Sequence, residues 1–103
     1  MKMHHDAHTP LWITEIGWGS NRHPNIYELN KGLRGQKRLL KKSFRLITHK
    51  RHHWRIQRLL WFDWRDPARD VPSGCGFCSH AGLIKHGGKP KPSWRAYKHF
   101  AAP

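Results

Sequence analysis

The apolar residues near the start of the chain form one compact run. Residues 11–14 are Leu, Trp, Ile and Thr, a group rich in β-branched and aromatic side chains, and Pro10 precedes them. Gly17 and Gly19 follow within a few positions. This pattern predicts a buried strand over residues 11–14 that enters a loop running from residue 17 to about residue 30.

A helical period begins after this loop, from about residue 31 to residue 49. Apolar side chains recur there at spacings of seven, four and three, at Leu33, Leu40, Phe44 and Ile47. Lysine and arginine residues flank this stripe. The pattern predicts an amphipathic helix with a strongly basic solvent face.

Two further apolar segments follow in the second half. Residues 54–62 end in a nearly continuous apolar run, which is typical of a strand buried on both faces. The Pro, Gly, Asp and Ser content of residues 63–82 predicts a long loop, and loops of that length are often functional. Residues 83–84 predict a brief strand, and a last helix is expected from about residue 93 to residue 100. Its apolar face would be formed by Trp94, Tyr97 and Phe100.

The predicted order of elements is strand, helix, strand, helix. This is the βαβα pattern of a parallel α/β sheet. Two such units cannot close a barrel, because eight strands and about 250 residues are typical of one. The pattern therefore predicts about a quarter of a larger fold.

The charge balance is strongly positive, with 20 Lys and Arg against 6 Asp and Glu, a net charge of +14. Such a chain attracts nucleic acid, anionic lipid or acidic polysaccharide. Its six Trp and four Phe argue against a disordered chain. No apolar run approaches the roughly 18–20 residues that span a bilayer. Residues 1–6 lack the apolar core of a signal peptide, so an exported parent would have its signal outside this chain.

Cys75 and Cys78 form a single Cys-Gly-Phe-Cys group. The surrounding Pro, Ser and Gly residues place the group in a loop, which favours a small loop-closing disulfide or a pair of free thiols. Half of a zinc site and a redox-active dithiol are the alternatives.

Glu15 is the only acidic residue between positions 7 and 27. It follows the first predicted strand, and reactive groups of parallel α/β folds lie at the C-terminal ends of strands. Its neighbours are Trp12, Ile13, Ile16 and Trp18. A carboxylate among such side chains is costly without partners, so Glu15 is a candidate functional residue, with a solvated loop carboxylate as the alternative.

Three ordered segments resemble one enzyme family. Residues 12–18, Trp-Ile-Thr-Glu-Ile-Gly-Trp, resemble the seventh-strand nucleophile motif of the (β/α)8 retaining glycoside hydrolases that include cellulases and xylosidases. Residues 59–66, Leu-Leu-Trp-Phe-Asp-Trp-Arg-Asp, are similar to that family's eighth strand and its loop. Residues 81–84 and 88–97 are similar to the closing Gly-Leu and Lys-Pro run before its final helix.

The resemblance implies an α/β fold, a partial (β/α)8 TIM barrel with the last two βα units only. Residues 1–103 would then be the C-terminal fragment of a catalytic barrel, with a flexible N-terminus over residues 1–10. It implies hydrolysis of O-glycosyl bonds with retention, with Glu15 as the nucleophile and no cofactor. The family's acid/base is a Glu that usually follows Asn, but no Asn-Glu pair occurs here, and Glu28 follows Tyr27. The chain alone is therefore expected to be inactive.

Trp18, Trp61 and Trp64 are the candidates for stacking on a sugar, because flat apolar sugar faces pack on aromatic rings. Trp61 is preferred, since the analogous family position often carries such a ring, and packing in the core is the alternative. Asp66 is expected to form a loop ion pair with Arg65 and Arg69, and a contact with the substrate is the alternative.

The second hypothesis is a small basic protein that binds nucleic acid or another polyanion through the basic helix. The cationic cluster at residues 50–53, with Arg45, Arg55 and Arg58, would suit such a ligand. A solvated helix end favoured by the helix dipole is the preferred interpretation of that cluster. No helix-turn-helix or intact zinc module is evident. A nonfunctional reading frame is the third hypothesis.

The N-terminal histidines His4, His5 and His8 could chelate a metal ion. An unstructured histidine-rich terminus is the commoner interpretation of such a group. No metal site is therefore predicted there.

Overall fold

The computed structural model describes residues 6–22, 29–70 and 75–102. Within them the elements follow in the order β1 (Leu11–Ile16), α1 (Gly32–Lys50), β2 (Ile56–Trp61), a single 3₁₀ turn (Cys78–His80) and α2 (Pro92–Ala101). The predictions that concerned His4, His5 and Glu28 lie outside the described residues.

The two strands pair in parallel. Leu11 lies opposite Ile56, and Ile13 lies opposite Leu59. The register is irregular between Leu11 and Trp12 and again between Ile13 and Ile16. Parallel neighbours require a long crossover connection, and α1 lies within that connection.

The helix α1 confirms the helical period of the sequence, since its bounds differ from the predicted ones by one residue at each end. Its buried residues are Gly35, Gln36, Leu40, Phe44 and Ile47. His49 and Lys50 occupy the last turn, where positive charge is favoured by the helix dipole. Among the described helices, none is long and apolar enough to cross a membrane, as expected.

The hydrophobic core lies between α1, α2 and one side of the sheet. Leu40, Phe44, Leu83 and Ala96 are buried at its centre. An unbroken series of ring contacts crosses it, with successive centroids 5.0–6.3 Å apart. This aromatic chain runs in the order Trp18, Trp61, Phe44, Tyr97, Trp94, Trp64. Because each ring touches the next, the core is held together largely by aromatic side chains.

The predicted partial (β/α)8 TIM barrel is wrong. The described residues form a small compact arrangement of two helices and a two-stranded parallel sheet. Two strands cannot curve into a closed barrel. Residues 83–84 form only isolated bridges, with Ile84 bridging to Arg65 and Pro90.

The predicted burial of the strands is also wrong. Trp12 is 62% exposed and Leu60 is 48% exposed. Ile16, Leu59 and Trp61 pack against the core cluster instead. The difference arises because no second layer covers the exposed side chains within the part of the chain that the structure describes.

Candidate functional site

Glu15 lies one residue before the end of β1, and its side chain is exposed. The next residue, Ile16, packs against the hydrophobic core. Across residues 6–22, 29–70 and 75–102, no hydrogen bond or ion pair engages the Glu15 carboxylate. The carboxylate is therefore accessible to a molecule that approaches from solution.

The ends of β1 and β2 near Glu15 are held close together. The Phe62 backbone N–H donates to the Ile16 carbonyl oxygen at 2.9 Å. A Cβ atom at Gly17 would collide with the Phe62 carbonyl oxygen, so only glycine allows this approach. The segment that follows Glu15 is thereby fixed against the end of β2.

Trp18 and Trp61 are in contact, with ring centroids 6.0 Å apart. The Trp61 ring also packs on Phe44 of α1 at 6.3 Å, and its Nε1–H donates to the Ala81 carbonyl oxygen at 3.0 Å. Both tryptophans are half-buried. These contacts place Trp61 among the core side chains, which was the alternative to a sugar platform. A sugar-binding role for either ring stays a prediction.

Trp64 lies at the other end of the aromatic chain. It is 55% exposed, and its ring meets Trp94 of α2 edge-on with centroids 5.0 Å apart. Trp18 and Trp61 touch each other, whereas Trp64 touches Trp94. The three rings predicted to bind sugar therefore do not form one platform, and the role of Trp64 in sugar binding stays a prediction.

A retaining glycosidase site needs a second carboxyl group about 5–5.5 Å from the nucleophile. Asp63 and Asp66 follow β2 in the chain and are the nearest carboxyl groups to its end in sequence. The Asp63 Oδ1 atom accepts the Trp64 backbone N–H, and Asp66 forms an ion pair with Lys91. Both carboxyl groups therefore already have a partner within the chain.

The expected pairing of Asp66 with Arg65 and Arg69 is wrong. Asp66 pairs with Lys91, whose Nζ atom lies 2.7 Å from the Asp66 Oδ2 atom. The Lys91 side chain is only 1% exposed, and its Nζ also donates to the His80 carbonyl oxygen at 3.0 Å. Burial lowers the pKa of Lys91 below 10.5, while the hydrogen bond and charge of Asp66 oppose that shift.

Gln36 connects this ion pair to both helices. Its side chain is fully buried, and its Oε1 accepts a hydrogen bond from Ser93 Oγ at 2.7 Å. Its Nε2 faces four backbone carbonyl oxygens at 2.9–3.3 Å, those of Trp18, His80, Ala81 and Gly82. We refer to Gln36, Asp66, Lys91 and Ser93 as the interior polar cluster.

The sequence contained one signal for this cluster. Gln36 precedes Leu40 by four residues, so helical spacing places it on the same face as the apolar stripe. A polar residue on that face predicts a buried hydrogen-bonding group. Lys91 has no comparable signal, because it precedes the last helix, among lysines and prolines.

The two cysteines are joined in a disulfide, which confirms the loop-closing interpretation of the Cys-Gly-Phe-Cys group. The Gly76 carbonyl oxygen accepts a hydrogen bond from Asn30 Nδ2 at 3.1 Å, and the Phe77 ring packs on Phe62. The disulfide loop is thereby attached to the segments that follow β1 and β2. The described residues contain no group of three side chains able to hold a metal ion.

The outer side of α1 forms a surface that we call the α1 cationic face. Its members recur at spacings of three and one, which places them on one side of the helix. They are Arg34, Lys37, Arg38, Lys41, Lys42 and Arg45, which line one open depression. The helix contains no acidic residue, and within the described ranges none of the six side chains takes part in a hydrogen bond or ion pair. The face can therefore receive an external anion.

No protein-family model matches this chain, and no curated protein matches it. The resemblance to retaining glycosidases therefore rests on the sequence motifs and on the position of Glu15 alone.

Proposed function

We propose that this chain carries the nucleophile half of a retaining glycoside hydrolase site, with Glu15 as the nucleophile. The observation that supports this most is the exposed, unpaired carboxylate near the C-terminal end of β1. The close approach of Gly17 to Phe62 adds support, because a nucleophile must be held in a fixed position. The ordered resemblance of three segments supplies the reaction class.

In this chemistry a Glu15 carboxylate oxygen attacks the anomeric carbon and forms a glycosyl ester. The bond from that carbon to the leaving oxygen breaks, and an acid donates a proton to the leaving oxygen. Water then attacks the anomeric carbon of the ester, gives its proton to the same group, and restores the carboxylate. The sequence contains no Asn-Glu pair, and Asp63 and Asp66 already have partners within the chain, so we expect the acid to come from elsewhere. We therefore expect no turnover of unactivated glycosides by the chain alone.

The test uses a substrate that needs no acid. A β-linked 2-deoxy-2-fluoro glycoside with a dinitrophenolate leaving group requires only the nucleophile. The glucoside and the xyloside are both tested, because the family that the chain resembles includes cellulases and xylosidases. We expect slow attachment of the fluorosugar to the peptide that contains Glu15, seen by mass spectrometry after proteolysis. Glu15→Gln should not be labelled, whereas the matched variant Asp63→Asn should be.

Label on a different residue, or equal labelling of Glu15→Gln, would overturn the proposal. So would the absence of label after prolonged incubation of folded protein with both sugars. Hydrolysis of an unactivated aryl glycoside by the chain, lost in Glu15→Gln, would contradict the expected inactivity.

A second candidate function is polyanion binding, and the α1 cationic face favours it. Six unpaired cations on one side of a helix without acidic residues attract a chain of negative charges. Binding of DNA should weaken with salt, and replacing Lys41, Lys42 and Arg45 by Gln should make the slope of log K against log salt less steep by about 2–3. Glu15→Gln should leave this binding unchanged. An unchanged slope in the triple variant would exclude the face as the binding surface.

A further inference from the structure

A groove between α1 and the start of α2 is distinct from the Glu15 end of the sheet. It has a volume of about 700 Å³. Its polar lining is basic, from Lys37, Lys85, Lys89, Arg95 and Lys98, and Trp94 supplies an aromatic wall. No carboxylate lines it. Lys91 also borders it, but the Lys91 side chain is buried against Asp66, so its charge is neutralised inside the protein.

Two cations of one wall are carried by a tight turn of the backbone. The Lys85 backbone N–H donates to the Lys89 carbonyl oxygen at 2.9 Å, and the Gly88 N–H donates to the Lys85 carbonyl oxygen at 2.8 Å. Gly88 has φ +88°, a conformation that favours glycine. The turn therefore presents Lys85 and Lys89 side by side along the groove.

Lys37 belongs both to this groove and to the α1 cationic face. The two surfaces are therefore continuous, and their cations form one track. Extended chains of phosphates follow tracks of this kind, whereas a single small anion would need only a few of the charges.

An exposed aromatic ring packs on the aromatic wall of the groove. Trp64 is 55% exposed and contacts Trp94, the aromatic wall of the groove. The next residue, Arg65, donates from its Nε atom to the His86 carbonyl oxygen at 2.9 Å, which joins the segment to the turn that carries Lys85. Trp64 is therefore connected to the groove through Trp94, and the residue after it is connected to the turn that carries Lys85.

We infer that this groove binds single-stranded nucleic acid, with phosphates along the cations and a base stacked on Trp64. A basic groove with an accessible aromatic ring is the combination used for single strands, because every base has a flat face that can stack. A duplex keeps its bases paired, so Trp64 could add little to its binding. The inference rests on the polyanion-binding candidate and is independent of the glycosidase proposal.

The experiment measures fluorescence anisotropy of labelled oligothymidylate of about 12 nucleotides, a duplex of the same length, and heparin as competitor. The single strand should bind more tightly than the duplex. Trp64→Leu should weaken single-strand binding by about 5- to 100-fold with little effect on the duplex. Trp64→Tyr, which keeps a ring, should retain most of the affinity.

The chain offers a matched control in Trp12. This tryptophan is also exposed, at 62%, and a cation lies over its ring, with Arg58 6.0 Å from the centroid. Trp12→Leu should leave single-strand binding unchanged. For the charges, Lys89→Gln with Arg95→Gln should weaken binding more than Arg51→Gln with Arg58→Gln, although both pairs remove the same net charge.

Equal losses in Trp64→Leu and Trp12→Leu would overturn the inference, as would a single strand that binds no better than the duplex or heparin. Binding to vesicles of anionic lipid but not to the oligonucleotide would overturn it as well. If polyanions bind through the α1 cationic face without any effect of Trp64→Leu, the second candidate function survives while this inference fails. If no polyanion binds, both fail.

Discussion

Two sets of polar groups share the helix α1, and they are arranged in opposite ways. In the interior polar cluster, Gln36 and its neighbours are buried and each has a partner within the chain. On the α1 cationic face, the six side chains have no partner among the described residues. The contrast separates groups that hold the fold together from groups that are available to another molecule.

The energetic consequences differ as well. A buried polar group that loses its hydrogen-bond partner still carries the full free-energy cost of desolvation. Replacing a solvated lysine changes the free energy of unfolding very little. Substitutions in the two sets should therefore differ strongly in their effect on the free energy of unfolding.

The largest effect is expected for Lys91→Met. The Asp66 carboxylate would lose its buried partner, and such losses typically cost about 3–5 kcal/mol. Urea unfolding, monitored by tryptophan fluorescence, measures the free energy of unfolding. Lys89→Met is the control, because Lys89 is exposed and should change stability by less than about 0.5 kcal/mol. Similar losses in both variants would show that the buried ion pair has no special role.

Gln36→Leu should cost about 1–3 kcal/mol, because the Ser93 hydroxyl and several carbonyl oxygens would lose their partner. The same unfolding measurement applies. Lys37→Gln, one position further along α1, should be nearly neutral. A neutral Gln36→Leu would mean that the amide contributes no more than an apolar side chain of similar size.

The cationic face predicts a stabilising effect of salt. Like charges four residues apart on a helix cost about 0.2–0.5 kcal/mol per pair, and Arg34 with Arg38 or Lys37 with Lys41 are such pairs. Raising sodium chloride from about 0.05 M to about 0.5 M should therefore increase the unfolding free energy by about 1 kcal/mol. The variant with Gln at 41, 42 and 45 should gain clearly less. An equal gain in the native chain and in this variant would show that the repulsion arises from charges other than these three.

The smallest effect concerns pH and the ionisation of Lys91. Since its folded-state pKa is lowered from 10.5, the unfolded chain binds more protons between that lowered pKa and 10.5. Stability attributable to Lys91 should therefore rise as pH rises through this window and be constant below it, where Lys91 is protonated in both states. Burial causes this shift, and the hydrogen bond and charge of Asp66 oppose it. Unfolding free energies up to about pH 10.5 should show an upward slope that is absent in Lys91→Met. An identical slope in the native chain and in Lys91→Met would show that Lys91 is not the group responsible.

The local elements were predictable from the sequence because their signals are local. The spacing of Leu40, Phe44 and Ile47 defined α1 to within one residue at each end, whereas the brief strand predicted over residues 83–84 does not form. The position of Glu15 near the end of β1 followed from the apolar run before it.

The errors concern contacts between distant parts of the chain. Asp66 was assigned to nearby arginines, but its partner Lys91 lies 25 positions away. The barrel was inferred from a family pattern, whereas two strands and two helices leave one side of the sheet open, with Trp12 exposed. Burial depends on which layers are present, and that information is not contained in the period of a single strand.

The Cys75–Cys78 bond has a practical consequence for spectroscopy. It uses both cysteines of the chain, so no free thiol remains. A single cysteine introduced at an exposed position, such as Thr14 in β1, would then be the only group to react with a maleimide dye or a nitroxide. The native chain can thus be labelled at one chosen site without first removing other thiols.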